Sequence, residues 1–147
     1  MSGDQARKRF ENGYMCAESV LMTVCETLGY KNPAIPAMAT AFCSGVSRTK
    51  GICGALQGGT LAISLIHGRN NPEQSHEKCY ELVQMLYQKF IGKNSTDNCY
   101  ELTGCDLSIQ QGRDKFKVDE LKQRLCIPLV EDVTDYTIKL LRENSVN

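Results

Sequence analysis

Cysteines are the side chains in this sequence most able to do chemistry. Their thiolates bind metal ions and iron–sulfur clusters, and they also attack disulfides. The chain of 147 residues has eight, at positions 16, 25, 43, 53, 79, 99, 105 and 126. No two follow the CxxC spacing, which removes the usual sequence forms of zinc-ribbon and thioredoxin-like sites. Any shared site must therefore be assembled from distant parts of the chain.

Composition and charge narrow the class of protein. Lys and Arg together number 17, as do Asp and Glu, and this balance argues against nucleic acid as a partner. No apolar run approaches the ~20 residues that cross a bilayer, so we expect no membrane partner. The opening residues, MSGDQARKRF, lack an export signal, which predicts a cytoplasmic protein. Cysteines kept reduced in that compartment indicate metal, cluster or redox chemistry rather than structural disulfides.

Apolar residues recur at helical spacing along most of the chain, and strand-like alternation is not sustained anywhere. We therefore predict an all-α fold, an orthogonal bundle of about five main helices forming a single domain over residues 1–147. Short extra helical turns are expected in the polar stretch 105–125. The five predicted helical segments are 13–30, 32–45, 52–68, 70–93 and 126–144.

Four cysteines lie at or near a predicted helix start: Cys16, Cys53, Cys99 and Cys126. The first turn of a helix offers unpaired N–H groups and a partial positive charge. Both favour thiolate over thiol, so we expect lowered pKa values at these positions. If the four helix starts converge, they form a tetrathiolate site. The remaining helical cysteines, Cys25, Cys43 and Cys79, are predicted to be small buried hydrophobes.

The same positions carry a family resemblance. Residues 13–20 read GYMCAESV, residues 53–58 read CGALQG, residues 99–107 read CYELTGCDL, and residues 126–133 read CIPLVEDV. With these four motifs in order, the chain resembles the C_GCAxxG_C_C family of redox-active proteins nearly from end to end. The resemblance marks the four cysteines at helix starts. The chain departs from the usual family pattern at Cys43, where glycine is common, and at Cys105. Either cysteine could be an extra ligand or a resolving thiol.

The resemblance also implies a cofactor, because a related domain is associated with an iron–sulfur cluster. Our leading hypothesis is that Cys16, Cys53, Cys99 and Cys126 ligate such a cluster, most simply 2Fe–2S. Gly54 and Gly58 would then let the backbone approach the cofactor closely. The protein would pass electrons to an unidentified partner protein. The chain has no CxxCH, so covalent haem is not expected.

Three alternatives remain open. Two of the four cysteines could form a metal-free thiol–disulfide couple, or all four could bind a structural zinc ion in an interaction module. A helical scaffold with inert buried cysteines is the third. No pair of acid and base residues suggests a hydrolase or transferase, and the sequence does not decide whether the protein is an enzyme. Apolar helix faces often pair, so a homodimer is the assembly that we expect.

Overall fold

A computed structural model describes residues 2–145, and within that range all regular secondary structure is helical apart from one isolated β-bridge. The all-α prediction is confirmed. The described elements are α1 (Ser2–Glu11), α2 (Cys16–Leu28), α3 (Ala37–Thr40), α4 (Cys43–Arg48), α5 (Gly54–His67), α6 (Glu77–Asn94), α7 (Cys99–Thr103), α8 (Gln110–Val118), a π-helical turn (Lys122–Cys126) and α9 (Ile127–Glu143). None of these helices is long and apolar enough to cross a membrane.

Helix α2 lies at the centre of the fold and packs against α1, α5 and α9. Its residues Val20, Leu21 and Val24 are completely buried. Gly58 brings α5 against α2, because a Cβ at this position would lie 2.7 Å from the Ala17 carbonyl oxygen. This close approach fixes the first residues of α2 and α5 next to each other, and both helices begin in cysteine motifs.

Helix α1 was not among the predicted segments. Only Gly3 and Ala6 are buried in its ten residues, so the sequence shows little apolar periodicity. The helix is instead held by polar contacts. The Gly3 N–H donates to Asp135 Oδ1 at 2.9 Å, which attaches α1 to α9. Arg9 donates to Thr23 Oγ1 at 2.7 Å, which attaches the other end of α1 to α2.

The predicted helix over residues 32–45 is wrong. The structure has the short helix α3 there, followed by α4, whose backbone is left-handed. Five successive residues, from 44 to 48, have φ angles of 57°, 65°, 59°, 56° and 66°. We call residues 44–48 the left-handed turn. For residues other than glycine this conformation costs roughly 1–2 kcal/mol each.

Local hydrogen bonds hold the left-handed turn in place. The Gly51 N–H donates to the Gly45 carbonyl oxygen at 2.8 Å. Thr49 Oγ1 donates to the Val46 carbonyl oxygen at 2.7 Å, and Ser47 Oγ donates to the Ala41 carbonyl oxygen at 2.8 Å. Such strain persists where the surrounding structure over-determines it, often at functional sites. In the sequence, the left-handed turn lies between the motif cysteines Cys16 and Cys53.

Candidate functional site: a cavity lined by cysteines

The four motif cysteines, which are up to 110 residues apart in the chain, line one cavity of about 290 Å³. Cys16 is the first residue of α2, Cys53 immediately precedes α5, and Cys99 is the first residue of α7. Cys126 ends the π-helical turn that leads into α9. We call this space the cysteine cavity. Four separate elements of the fold therefore each contribute one sulfur atom to it.

Glu18 fixes the beginning of α2 by accepting hydrogen bonds from two residues. Its Oε1 accepts the Met15 N–H at 2.9 Å, as expected for an acidic residue in the first helical turn. Its Oε2 accepts the Thr40 hydroxyl at 2.6 Å, which connects α2 to α3. These bonds hold Cys16 at the edge of the cavity and bring the start of α4 beside it.

Cys53 and Cys99 are held next to each other by an isolated antiparallel bridge between their neighbours Ile52 and Asn98. The Cys53 N–H donates to the Asp97 carbonyl oxygen at 2.7 Å, and the Cys99 N–H donates to the Gly51 carbonyl oxygen at 2.8 Å. A short pairing of two loops thus does what a CxxC motif does in other proteins: it fixes the relative position of two cysteines.

The expectation that helix starts lower the pKa of the motif thiols is wrong for all four. Burial is the main cause that raises the pKa of Cys53, although the N–H groups of Leu56 and Ala55 act in the opposite direction. Burial also raises the pKa of Cys99 to about 11 and that of Cys126 to about 12. Nearby thiols raise both further. Without a bound cation these sulfurs are neutral thiols.

Cys126 differs from the other three motif cysteines because the first N–H group of its helix is already hydrogen-bonded. The π-helical turn runs directly into α9, and the Ile127 N–H already donates to the Lys122 carbonyl oxygen. Pro128 follows at the first positions of α9, where it has no N–H to offer. π-helical turns are rare in proteins, and those that do occur are often found at functional sites.

Cys43 is buried in the apolar core as the sequence predicted, with 2% of its surface exposed. Its contact with Cys16, which it makes as the first residue of α4, was not predicted. The Cys16 thiol donates to Cys43, and this bond lowers the pKa of Cys43 to about 7 against the cost of burial. The N–H groups of Glu18 and Ala17 act in the same direction. The pKa of Cys16 is raised, first by the same bond and then by burial.

The other predicted positions are distributed as follows. Cys25 and Cys79 are buried in the apolar core, which confirms that prediction. Cys105 is buried close to Cys99 and Cys126 but does not line the cavity. Gly54 lies on the cavity wall, where a Cβ would overlap the Cys16 sulfur.

Gly58 lies at the contact between α5 and α2 and is not on the cavity wall. The glycine requirement at this position is therefore explained by helix packing, and any approach of its backbone to a cofactor stays a prediction.

The charged side chains that line the cavity are all cationic: Arg48, Arg113, Lys117 and Lys122. Over residues 2–145 none of these four forms an ion pair with a carboxylate. Arg113 donates to the Leu107 carbonyl oxygen at 2.7 Å, and the Lys122 ammonium lies 4.8 Å from the centre of the Phe10 ring. The cavity is therefore suited to hold negative charge.

The sulfurs surround a volume instead of meeting at a point. In the described part of the chain, no three His, Cys, Asp or Glu side chains are grouped so as to hold a single metal ion. All eight cysteines are free thiols.

An all-helical fold with a cavity lined by cysteines defines a class of small cysteine-rich helical proteins. More particularly, the chain belongs to the family described as "Putative redox-active protein (C_GCAxxG_C_C)", whose model matches residues 14–140. A protein of Archaeoglobus fulgidus described as "Uncharacterized protein" is 28% identical over 139 residues, which cover 87% of this chain and 85% of the relative. No solved structure matches the chain.

Proposed function

We propose that the cysteine cavity binds an iron–sulfur cluster, most simply 2Fe–2S, and that the protein transfers electrons to a partner protein. Cys16, Cys53, Cys99 and Cys126 would be the ligands. One observation carries the proposal: four cysteines from four separate elements line the same cavity of about 290 Å³. Thiolate sulfur is the usual ligand of such clusters. When bound, the cluster would accept and release single electrons.

The electrostatics of the cavity support this donor set. Burial raises the pKa values of Cys53, Cys99 and Cys126, so that thiolates there need a compensating cation. Iron supplies that charge and replaces the thiol protons. A cluster with four thiolate ligands carries a net negative charge, which the cationic side chains around the cavity, Lys122 among them, would balance.

The arrangement of side chains supports a cluster over a single zinc ion. Zinc needs four sulfurs about 2.3 Å from one point, and among the described residues no three His, Cys, Asp or Glu side chains are grouped around such a point. The proposal places this chemistry in the cytoplasm, where thiols that await a cluster stay reduced.

The test is a visible spectrum with iron and sulfide analysis of the full chain purified without oxygen. We expect broad visible absorbance and matched iron and sulfide. The variants Cys53→Ser and Cys126→Ser should lose most of both. Cys25→Ser and Cys79→Ser are matched controls, because they change buried thiols in the apolar core away from the cavity, and they should keep wild-type iron.

Two results would overturn the proposal. Wild-type iron in both Cys53→Ser and Cys126→Ser would show that these residues are not ligands. A colourless wild-type protein that also takes up no iron and sulfide on reconstitution would exclude the cluster. Zinc in that colourless protein, with unfolding by a chelator, would instead support a four-thiolate zinc site.

A further inference from the structure

Cys43 is not one of the proposed ligands, yet its side chain contacts the proposed ligand Cys16. Its thiol donates to the Ala39 carbonyl oxygen at 3.5 Å, its sulfur lies beside the Cys16 thiol, and its backbone begins α4. The Cys43 Cα and the Cys16 sulfur both lie within 3.2 Å of the point that a Gly54 Cβ would occupy. A disulfide requires Cα atoms about 4.4–6.8 Å apart with converging Cβ atoms. The Cys16 sulfur lies beside the Cys43 backbone and side chain, which is the closeness that a disulfide between them needs.

We propose that Cys16 and Cys43 form a reversible intramolecular disulfide, and that this disulfide prevents Cys16 from acting as a cluster ligand. The first half stands on the contact between the two side chains. The second half rests on the proposed function, because it matters only if Cys16 is a ligand.

Exposure sets the order of the two steps. Cys16 is partly exposed and lines the cavity, whereas Cys43 lies behind it with 2% of its surface exposed. An external oxidant therefore reaches Cys16 first. The resulting group on Cys16 remains in contact with Cys43, which is placed to displace it. Cys43 is the resolving thiol.

The oxidant that we assign is a low-molecular-weight disulfide, written R–S–S–R. The Cys16 sulfur passes its proton to Cys43 and attacks one sulfur of R–S–S–R. A bond forms between the Cys16 sulfur and that sulfur, and the first R–S⁻ leaves and takes up the proton from Cys43. The Cys43 sulfur then attacks the Cys16 sulfur, so that the Cys16–Cys43 bond forms and the second R–S⁻ leaves. In total, the two cysteine thiols lose two electrons and two protons. These reduce R–S–S–R to two molecules of R–SH.

The backbone around Cys43 supports a resolving role. The left-handed turn begins directly after Cys43, and the Ser44 N–H donates to the Cys16 sulfur. Gly45, the next residue, is pressed against Cys99, because a Cβ there would lie 2.8 Å from the Cys99 Cβ. The turn thus holds Cys43 against Cys16 from one side while the start of α2 holds it from the other.

The experiment uses the full chain, purified without oxygen, stripped of metal and treated with glutathione disulfide. Remaining thiols are alkylated and the peptides are mapped by mass spectrometry. We expect a linked pair of peptides containing Cys16 and Cys43, two fewer alkylated cysteines than in the reduced protein, and reversal by dithiothreitol. In Cys43→Ser the linked pair should be absent and glutathione should remain on Cys16. Cys25→Ser, the matched control, should behave as wild type.

A second measurement separates this inference from the proposed function. Iron uptake on reconstitution is compared between the oxidised and the reduced wild-type protein, and we expect several-fold less iron in the oxidised form. Failure of the reduced protein to bind iron would overturn the cluster but leave the disulfide standing. Iron uptake with no linked peptides, or with Cys16 linked instead to Cys53 or Cys99, would overturn the disulfide. Equal uptake in both forms would overturn the competition between disulfide and cluster.

Discussion

The two sides of the cysteine cavity hold their sulfurs in different ways. On one side, at the starts of α2 and α5, backbone N–H groups reach the sulfur atoms: that of Ser44 reaches Cys16, and those of Ala55 and Leu56 reach Cys53. On the other side, at α7 and α9, burial and neighbouring thiols dominate, and the pKa values of Cys99 and Cys126 rise to about 11 and 12. We call these the α2–α5 side and the α7–α9 side.

The difference shows that N–H groups which reach a sulfur offset the effect of burial only in part, because the pKa values of Cys16 and Cys53 are raised as well. At α7 the side chain of Asn98 caps the helix and accepts the Glu101 N–H at 2.9 Å. At α9 the preceding π-helical turn takes the Ile127 N–H. At α5 no side-chain cap is present, and the N–H groups of Ala55 and Leu56 lower the pKa of Cys53 in part against burial. The α7–α9 sulfurs therefore have no N–H group that offsets burial, and the sulfurs of both sides need a bound cation to stay ionised at neutral pH.

The largest effect is expected from breaking the α2–α5 side. Gly54→Ala places a Cβ on top of the Cys16 sulfur, so that Cys16 or the start of α5 must move. We expect the free energy of unfolding to fall by about 1–3 kcal/mol and most of the iron to be lost. Urea unfolding and iron analysis measure the two effects.

Gly92→Ala is the matched control for Gly54→Ala. Gly92 lies within α6, and a Cβ there meets nothing within 4 Å. Alanine in an open helical position should increase the free energy of unfolding by roughly 0.5–1 kcal/mol. Wild-type stability and iron content in Gly54→Ala would show that the α2–α5 side tolerates displacement of Cys16.

A smaller effect is expected at the junction of the two sides, which is the left-handed turn. Gly45→Ala puts a side chain at φ 65° and a Cβ 2.8 Å from the Cys99 Cβ. We expect the free energy of unfolding to fall by about 2 kcal/mol. Val46→Gly removes the strain of a β-branched residue held at φ 59°. This substitution should increase the free energy of unfolding by about 1 kcal/mol. Equal stability of the two variants in urea unfolding would contradict this account.

A separate effect is a pH dependence of stability that has opposite signs at different cysteines. In the metal-free protein the raised pKa values of Cys99 and Cys126 give stability that is present below pH 9.0 and is lost as the pH rises towards about 11 and 12. The lowered pKa of Cys43 gives stability that is present above pH 9.0 and is lost as the pH falls through about 7. The contribution of these three cysteines to the free energy of unfolding is therefore highest near pH 9.0.

Two variants separate the contributions, and each is the control of the other. Cys126→Ala should reduce the loss of stability on the alkaline side only. Cys43→Ala should reduce the loss on the acid side and, because Cys43 raises the pKa of Cys16, part of the loss on the alkaline side as well. Urea unfolding followed across the pH range measures both. A loss on the acid side that persists unchanged in Cys43→Ala would show that another group causes it.

The sequence was sufficient to predict the helices whose apolar faces form the core. The helical spacing of Val20, Leu21 and Val24 predicted α2, and similar patterns predicted α5, α6 and α9. Polar contacts to other helices hold α1, and such contacts leave no local pattern. The left-handed turn could not be predicted either, because Ser44, Val46 and Ser47 belong to residue types that avoid this conformation.

The same distinction applies to the site. The positions of Cys16, Cys53 and Cys99 at helix starts followed from local sequence, and the structure places them around one cavity with Cys126. The contact between Cys16 and Cys43 did not follow, because it depends on how α4 meets α2. The pKa directions did not follow either, since the sequence shows where a helix begins but does not show which N–H groups are already taken.

The handedness of residues 44–48 has a consequence for chemical synthesis of the protein. A D-amino acid prefers positive φ for the same steric reason that an L-amino acid avoids it. The exposed position 47, with φ 56°, is therefore a place where a residue of inverted chirality fits the native backbone better than the natural one. Mirror-image serine at that position would make the native shape of the turn its preferred conformation.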